Sequence, residues 1–424
     1  MYKNARHALF LRLFAALAFM LIATAPLQAA QPVDSSRWIA TWTASPQPLW
    51  EGDFALPINL PSSLWNQTVR QVARVSVGGR HVRVVLSNEY GSRPLVIGAA
   101  HIALASAGAT ITAGSDRTLT FGGQSSVTIP PGAPAISDPV DLDLGALGSV
   151  AVSVYLPEPT APSTFHWDGR QTGYVIAGNQ VAAAAIKADA TLTTRVFLNA
   201  VLVDTAVNTR TVVAFGDSIT DGAGSTPDRN ARWPDFLAQR LVGDHIAVLN
   251  AGISGARVLR NKMGVNALAR FDHDVLDQPG VSTVIVLMGI NDIGWRDSAL
   301  GPQEPAPTAD ELIAGYRQLI ARAHVRGVRI VGATLTPFEA ALQDTPMKGY
   351  YNLDKERVRQ AVNRWIRESH EFDAVVDFDA VVRDPAHPQR FLAAYDSGDH
   401  LHPGDAGYQV MAAAVDTQVL FGSH

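Results

Sequence analysis

The chain has 424 residues, of which 47% are hydrophobic and 17% charged, so it can build a packed core and lacks the composition of a disordered protein. Its 34 Lys and Arg against 39 Asp and Glu give a net charge of −5, which excludes a protein that binds nucleic acid through an overall basic surface. It has no cysteine, which excludes disulfides, thiolate metal sites, a cysteine nucleophile and a cysteine-linked lipid anchor.

Residues 1–30 have the pattern of a secretory signal peptide. Basic residues precede the apolar run Leu13–Ala25, and the small residues Ala29 and Ala30 stand before a polar stretch. The run is shorter than the roughly 20 apolar residues that a membrane-spanning helix needs. We therefore expect cleavage near Ala29-Ala30 and a mature protein that is secreted or periplasmic, without a stable membrane anchor.

Residues 31–205 follow the two-residue period of β-strands. Apolar and polar residues alternate over 73–77 and again over 82–86, on either side of Gly78-Gly79. Both positions of a Gly-Gly turn tolerate positive φ, so this pattern predicts a β-hairpin. Further short runs separated by Gly and Pro predict a β-sandwich or jelly-roll-like accessory domain over 31–205.

From residue 206 onward the pattern changes to strands that alternate with helices. Unbroken apolar runs, typical of strands buried on both faces of a parallel sheet, occur at Thr211–Phe215, Val281–Met288, Val328–Thr334 and Ala374–Phe378. Helices are predicted between and after them at Trp233–Leu241, Ala309–Arg326, Asp354–Glu371 and Asp405–Leu420. The alternation predicts a three-layer α/β domain over 206–424, with a parallel sheet between helices.

Ser218 follows the first of these strands, in the segment Gly216-Asp217-Ser218-Ile219-Thr220. Open α/β sheets bind ligands at the carboxyl ends of their strands, where a helix start can supply N–H groups to an oxyanion. A serine here serves either as a nucleophile or as a helix cap, and its position alone does not decide between them. The nucleophile elbow of α/β-hydrolases requires glycine where this chain has Thr220, which disfavours that fold.

A base for this serine is offered by the segment Asp399-His400-Leu401-His402-Pro403. His402 precedes a predicted helix, and Asp399 can fold back within the same loop to orient the imidazole. Two alternatives are a pair of solvent-exposed loop histidines and a metal site formed by Asp399, His400 and His402, although no second ligand cluster accompanies them. The similar segments around His273 and His387 follow no buried strand so directly, and we do not expect them to be catalytic.

Gly255 and Asn291 lie after two further strands. Gly255 ends a segment that follows the apolar run Ile246–Leu249, and Asn291 follows the strongest apolar run of the chain. A glycine N–H and an asparagine amide can bind an oxyanion, but Gly and Asn are also the ordinary residues of turns. Each signal is weak alone, whereas the whole set in this order is strong.

The set of motifs resembles the SGNH (GDSL) hydrolase superfamily, whose motif blocks all occur in the family's order between Thr211 and His424. The resemblance implies a flavodoxin-like fold and catalysis without a cofactor or a metal. It also implies these roles: Ser218 as nucleophile, His402 as general base, Asp399 as the residue that orients it, and an oxyanion hole from the N–H groups of Ser218 and Gly255 and the side chain of Asn291.

The front half, with its segment Trp38-Ile39-Ala40-Thr41-Trp42, looks like the β-rich N-terminal extension of exported carbohydrate esterases. We expect a secreted serine esterase that removes short acyl groups from carbohydrate through an acyl-enzyme. The alternatives are a lipase or general acyl esterase, and a non-catalytic carbohydrate-binding protein with a decayed hydrolase domain. Five of the eight tryptophans lie in the front half, where they either bind sugar or belong to the core: Trp38, Trp42, Trp50, Trp65 and Trp167.

Overall fold

The computed structural model describes residues 36–50, 54, 56–206 and 208–422. The predicted signal peptide, residues 1–30, lies outside the described residues. Within the described ranges, no helix is both long and apolar enough to cross a membrane. By their contacts, residues 36–424 form one compact unit, and the division at residue 205 into two domains stays a prediction.

The front half of the described chain consists of antiparallel strands. They are β1 (Ser36–Thr43), β2 (Gln47–Pro48), β3 (Gln67–Arg74), β4 (Gly79–Ser87), β5 (Leu95–Ile97), β6 (Ala99–Leu104), β7 (Arg117–Thr118), β8 (Val127–Ile129), β9 (Pro134–Ile136), β10 (Val140–Leu144), β11 (Ser149–Leu156), β12 (Thr164–His166), β13 (Gly173–Ala177), β14 (Ala190–Leu192), β15 (Arg195–Val196) and β16 (Leu198–Ala206). The predicted β-rich front half is confirmed.

These strands form two larger and two smaller sheets in the part of the chain that the structure describes. The larger sheets have the orders β1-β16-β4-β10, with β9 also on β4, and β14-β13-β3-β11-β6-β7. The smaller sheets are β15-β12-β2 and β5-β8. Apolar side chains of both larger sheets, such as Val84 of β4 and Val152 of β11, belong to one buried cluster. The alternation read in the sequence therefore reflects one face of each sheet turned toward a shared core.

The predicted hairpin around Gly78-Gly79 is wrong. The strands on its two sides are β3 and β4, and they belong to different sheets. Between them the chain pairs elsewhere: Val75 N donates to Gly148 O at 2.9 Å, and Ser76 N donates to Thr41 O at 3.0 Å. The alternation over 82–86 matches β4, whereas β3 already ends at Arg74, before the run over 73–77 is complete. The connecting residues carry the chain from one sheet to the other instead of closing a turn.

The second half contains a five-stranded parallel sheet. Its strands are β17 (Arg210–Gly216), β18 (Ile246–Gly252), β19 (Val281–Leu287), β20 (Arg329–Ala333) and β21 (Ala374–Val376), in the order β18-β17-β19-β20-β21. Each neighbouring pair is parallel. This is the flavodoxin-like order. The direction in which successive strands are added to the sheet reverses between β17 and β19, and such sheets bind ligands in the crevice at the carboxyl ends of these two strands.

Helices between these strands and after the last of them complete the three-layer α/β architecture predicted from the alternation. They are α1 (Ser218–Asp221), α2 (Trp233–Arg240), α3 (Ala267–Phe271), α4 (Ile290–Gly294), α5 (Ala309–Val325), α6 (Leu353–Glu368), α7 (Phe378–Val382), α8 (Asp405–Ala414) and α9 (Thr417–Phe421), with a π-helical turn at Asp272–Leu276. The single helix predicted over Asp405–Leu420 is wrong. Val415 leaves the helical conformation, and the Asp416 side chain caps α9 by accepting a hydrogen bond from Gln418 N.

Candidate active site

Ser218 stands at the crevice end of β17, as the first residue of α1. Asp217 caps this helix, because its Oδ1 accepts the Ile219 N–H at 3.0 Å. The helix is only four residues long and ends at Gly222, whose N–H donates to Ser218 O at 2.8 Å. The strand, cap and short helix together fix the backbone of Ser218 at the place where parallel sheets bind ligands.

His402 and Asp399 reach Ser218 from the far end of the chain. The Ser218 Oγ lies 2.8 Å from His402 Nε2, and His402 Nδ1 lies 2.6 Å from Asp399 Oδ2. A carboxylate only accepts, so Nδ1 carries the proton and Nε2 presents its lone pair to the Ser218 hydroxyl. Asp399 Oδ1 also accepts the N–H groups of Leu401 and His402 at 2.9 and 2.8 Å, which holds the loop around the imidazole.

The two groups shift each other's pKa values in opposite directions. Burial alone would lower the pKa of His402, but the charge of Asp399 and their hydrogen bond outweigh it and raise that pKa. Burial would likewise raise the pKa of Asp399, but the charge of His402 and the hydrogen bonds to the carboxylate hold it well below its usual range. Asp399 is therefore ionised at neutral pH, and the pair can accept a proton from a neighbouring hydroxyl.

Gly255 lies in the turn after β18 and faces the same cavity as Ser218. Its φ of +76° is in the left-handed region, and a Cβ there would lie 2.2 Å from Met263 Sδ, so only glycine fits. The N–H groups of Gly255 and Ser218 make no hydrogen bond to any residue within the described ranges. Two backbone donors beside the serine are thus available to a negatively charged oxygen.

Asn291 is held at the start of α4 with its amide orientation fixed. Its Oδ1 accepts hydrogen bonds from Trp295 Nε1 at 3.1 Å and from the Tyr350 hydroxyl at 2.7 Å. Its Nδ2 donates to Ala256 O at 3.0 Å. Because the oxygen takes both donors, the amide nitrogen faces the turn that carries Gly255, and its second hydrogen has no acceptor among the described residues.

Two buried carboxyl groups lie next to the site residues in the chain: Asp217 precedes Ser218, and Asp292 follows Asn291. Asp292 accepts the N–H groups of Val258 and Leu259 at 2.7 and 3.0 Å and so fixes the segment after Gly255. Burial raises the pKa of Asp292 to about 6 and that of Asp217 to about 7. The second oxygen of Asp217 is buried without a hydrogen-bond partner in the described part of the chain.

The front half supplies a buried contact that the sequence did not indicate. His166 Nε2 lies 2.9 Å from Asp221 Oδ1, at the end of α1. The other oxygen of Asp221 accepts both the N–H and the hydroxyl of Ser254, at 3.0 and 2.8 Å. His166 therefore reaches, through Asp221, the turn in which Gly255 lies.

The cavity beside Ser218 has a volume of about 690 Å³ including its open mouth. Ser218, Gly255, Asn291, Asp399 and His402 all contribute to its wall, so the structure brings the predicted site residues together. The rest of the wall is mainly apolar and aromatic, with Leu56, Trp167, Trp295, Leu342 and Met347 as representative residues, and it also includes the carboxylate of Asp168. Leu56, Trp167 and Asp168 come from the front half, so both halves of the chain shape the cavity.

Two of the other histidines considered as candidates, His400 and His273, are engaged elsewhere, and His387 does not line the cavity. His400 Nδ1 lies 2.6 Å from Asp396 Oδ2, outside the Asp399–His402 pair. His273 contacts its neighbour Asp274 at 2.7 Å and Glu89 at 3.4 Å in a partly exposed ionic cluster. Among the described residues, no three His, Cys, Asp or Glu side chains are arranged to hold a metal ion.

The tryptophans of the front half have different surroundings. Trp42 and Trp50 are buried, and Trp38 packs against the core with the Arg83 guanidinium over its ring. Trp65 is exposed, and Trp167 lines the cavity with its Nε1 donating to Pro57 O at 3.1 Å. Only Trp167 of these five belongs to the candidate site.

Comparisons with known proteins bear on the second half of the chain. Residues 212–415 match the family model described as GDSL-like Lipase/Acylhydrolase. No curated protein matches the chain.

Solved structures also align with this chain. A GDSL-like lipase from Bacteroides thetaiotaomicron VPI-5482 is 19% identical over 50% of this chain and 87% of that one, with a TM-score of 0.37. The aryl esterase of M. smegmatis is 17% identical over 48% of this chain and 95% of that one, with a TM-score of 0.37. An acetyl xylan esterase is 20% identical over 48% of this chain and 96% of that one, with a TM-score of 0.34.

Proposed function

Because residues 212–415 form a GDSL-like lipase/acylhydrolase domain, and the protein is accordingly an ester hydrolase of the SGNH type, we propose that it cleaves carboxylic esters through an acyl-enzyme on Ser218. The observation that supports this most directly is the chain of contacts from Ser218 Oγ to His402 Nε2 and from His402 Nδ1 to Asp399. A serine hydroxyl becomes an effective nucleophile when a base accepts its proton in this way.

In the first half of the reaction, Ser218 Oγ attacks the ester carbonyl carbon while His402 Nε2 accepts the hydroxyl proton. The carbonyl oxygen becomes an oxyanion, which the N–H groups of Ser218 and Gly255 and the Asn291 amide stabilise. His402 then gives its proton to the alcohol oxygen as the carbon–oxygen bond breaks. The alcohol leaves and the acyl group stays on Ser218.

In the second half, water takes the place of the alcohol. His402 accepts a proton from the water as its oxygen attacks the acyl carbon, and returns the proton to Ser218 Oγ when the carboxylic acid leaves. Asp399 keeps the imidazole in the tautomer that both halves require and stabilises its protonated form. The cycle needs no redox change and no cofactor.

We propose short-chain acyl groups, acetyl above all, on carbohydrate as the substrate. The half-buried Trp167 on the cavity wall offers an aromatic surface of the kind that sugar rings pack against. The apolar residues on the same wall, Leu342 and Met347 among them, also suit a general acyl esterase or a lipase, which remains the second candidate. A non-catalytic sugar-binding role is set aside, because the chain is an ester hydrolase.

Export is proposed from the first thirty residues, with cleavage near Ala29-Ala30 and a secreted or periplasmic mature protein. Determining the N-terminal sequence of the protein recovered from outside the cytoplasm tests this. A mature chain that begins near Gln31 supports export, and an intact Met1 on a protein retained inside the cell contradicts it.

The central experiment compares the purified full-length protein with its Ser218→Ala variant on p-nitrophenyl acetate. We expect kcat to fall by more than about 10³-fold, since removing the nucleophile leaves only binding and the oxyanion donors. Ser106→Ala is the matched control, because Ser106 is exposed and lies outside the cavity. A folded Ser218→Ala protein with the wild-type kcat contradicts the proposal.

Chain-length preference separates the two substrate classes. Wild-type kcat/KM on p-nitrophenyl acetate, butyrate and palmitate, together with acetate release from an acetylated polysaccharide, forms the test. A preference for acetate and for the polymer supports the carbohydrate esterase, whereas a preference for palmitate assigns the chain to the lipases.

A further inference from the structure

The segment His166–Arg170 extends from the front half to the cavity beside Ser218. Four of its five residues are held by hydrogen bonds: His166 to Asp221, the Trp167 N–H to Gln47 Oε1 at 2.6 Å, the Gly169 N–H to Thr193 O at 2.8 Å, and the Arg170 guanidinium to Ser225 O. The segment is therefore held in place on both sides of Asp168, and Trp167 and Asp168 form part of the cavity wall.

Asp168 is the one residue of this segment whose side chain is not engaged by a short hydrogen bond. Its only polar contact to a described residue is with Arg170 Nη1, 3.5 Å from Oδ1. The side chain is 20% exposed and lines the cavity that also contains Ser218. Most of the acceptor capacity of this carboxylate is thus unused on the wall of the cavity.

The backbone at Asp168 is held in an uncommon conformation. Its φ is +52°, and Arg170 two residues later has a φ of +48°. Left-handed backbone at a residue other than glycine is strained and persists only where the surrounding structure imposes it, often at ligand sites. The hydrogen bonds of the other four residues of the segment hold Asp168 in this conformation, with Asp168 on the cavity wall.

The chemistry of the carboxylate limits what it can bind. An ionised carboxylate accepts hydrogen bonds and donates none, so its ligand must donate. Burial raises the pKa of Asp168, and the charge of Arg170 opposes that shift. Because Arg170 already balances this charge, a neutral donor with several hydroxyls suits the site better than a cation does. Trp167 beside it adds an aromatic surface for the ring that carries those hydroxyls.

We propose that Asp168 binds hydroxyl groups on the alcohol part of the ester and so selects esters of polyhydroxylated alcohols, such as sugars, over esters of apolar alcohols. This inference rests on the proposed function of Ser218. It assigns to the front half a direct part in substrate selection, through a specificity-determining residue located beside the triad.

The test compares two acetate esters that differ only in hydroxyl groups around one ring: 6-O-acetylglucose and (tetrahydropyran-2-yl)methyl acetate. We expect the wild type to prefer the first by kcat/KM. In Asp168→Asn the ratio of the two kcat/KM values should fall about tenfold, because a charge-assisted hydrogen bond is replaced by a neutral one. Asn tolerates the left-handed backbone of Asp168, so this variant keeps the fold.

Asp168→Gly removes both carboxylate oxygens without backbone strain, and it should lower the ratio at least as far. The matched control is Asp143→Asn, the same chemical change at an exposed position of β10 outside the cavity, which should keep the wild-type ratio. Acetylcholine serves as the cationic comparison, since a bare anionic site would bind its ammonium group.

Several results overturn the proposal. An unchanged ratio in both Asp168 variants does so, as does a wild type with no preference for the sugar ester. If the Asp168 variants lose kcat/KM equally on both esters, Asp168 acts on His402 instead of on the alcohol. If they lose kcat/KM only on acetylcholine, Asp168 binds cations. A wild type that hydrolyses none of these esters, nor p-nitrophenyl acetate, refutes the proposed function itself.

Discussion

The His166 imidazole and the Asp221 carboxylate lie 2.9 Å apart, and their side chains are only 6% and 2% exposed. The other ring nitrogen of His166, Nδ1, lies 2.9 Å from Ser45 O. Both ring nitrogens thus face oxygen atoms, and the imidazole bridges Ser45 and Asp221. A residue of the front half thereby holds the carboxylate that binds Ser254, next to Gly255.

Replacing His166 should damage both stability and catalysis. In His166→Ala, Asp221 stays buried without its partner, which typically costs about 3–5 kcal/mol of unfolding free energy. The loosened turn should also lower kcat on p-nitrophenyl acetate more than it raises KM, because we propose that Gly255 stabilises the transition state. Urea unfolding and steady-state kinetics measure the two effects.

The control for this prediction is His324→Ala. His324 and Asp373 form a pair 3.2 Å apart whose side chains are 48% and 27% exposed, so its loss should cost less than about 1 kcal/mol. Equal destabilisation by the two variants would show that burial of the His166–Asp221 pair has no energetic significance. A stable His166→Ala protein with the wild-type kcat would show that His166 does not hold the turn that contains Ser254 and Gly255.

Asn291→Ala should lower kcat by about 10²–10³-fold and leave KM little changed. An oxyanion donor acts on charge that develops only in the transition state, so its loss does not weaken substrate binding. Tyr350→Phe removes one of the two donors to Asn291 Oδ1 and should cause a smaller loss of kcat in the same direction. Variants that raise KM alone would place Asn291 in substrate binding.

The pH profile should report the ionisation of His402. Protonated His402 cannot accept the Ser218 proton, so kcat/KM should be low in acid and rise with pH through the pKa of His402. Because Asp399 raises that pKa, the midpoint should lie above the ordinary value of about 6.5. Measuring kcat/KM on p-nitrophenyl acetate across pH 5–9 gives the midpoint.

Asp399→Asn tests the cause of that shift. Without the carboxylate, burial dominates and the midpoint should move to lower pH, while the plateau falls by up to about 10⁴-fold. A midpoint at the same pH in wild type and variant would mean that another group controls the acid limb. Asp217, whose pKa burial raises to about 7, is then the group to test.

Activity should survive treatment with EDTA. Both ring nitrogens of His402 are engaged, one by Asp399 and the other by Ser218, so neither is free to bind a metal ion. His400 is paired with Asp396 and does not join them. Loss of p-nitrophenyl acetate hydrolysis on chelation, restored by zinc, would reassign Asp399, His400 and His402 as ligands.

The parallel sheet could be predicted because its strands leave a local signature. Unbroken apolar runs mark strands covered on both faces, and the carboxyl ends of such strands meet at one edge. Once β17 and β19 are recognised as neighbouring parallel strands, Ser218 and Asn291 are therefore predicted to lie close to each other. The His402–Asp399 contact spans only three residues, so it too is visible locally.

Contacts between distant segments could not be predicted in this way. The hairpin around Gly78-Gly79 failed because alternation fixes which face of a strand is buried but not which strand lies beside it. The roles of His166 and Asp168 could not be predicted for a related reason. Nothing in the sequence around these two residues shows that their segment lies beside Ser218, which comes about 50 residues later in the chain. Tyr350 likewise approaches Asn291 only through the fold.

Mass spectrometry after reaction with diisopropyl fluorophosphate tests the central claim most directly, because an activated serine displaces fluoride and retains the phosphoryl group. We expect one adduct per chain, mapped by peptide fragmentation to Ser218, with loss of esterase activity in proportion to labelling. Ser218→Ala should stay unlabelled, whereas Ser106→Ala should label as the wild type does. An adduct on another residue, or full activity in a protein fully labelled at Ser218, would contradict the assignment of Ser218 as the nucleophile.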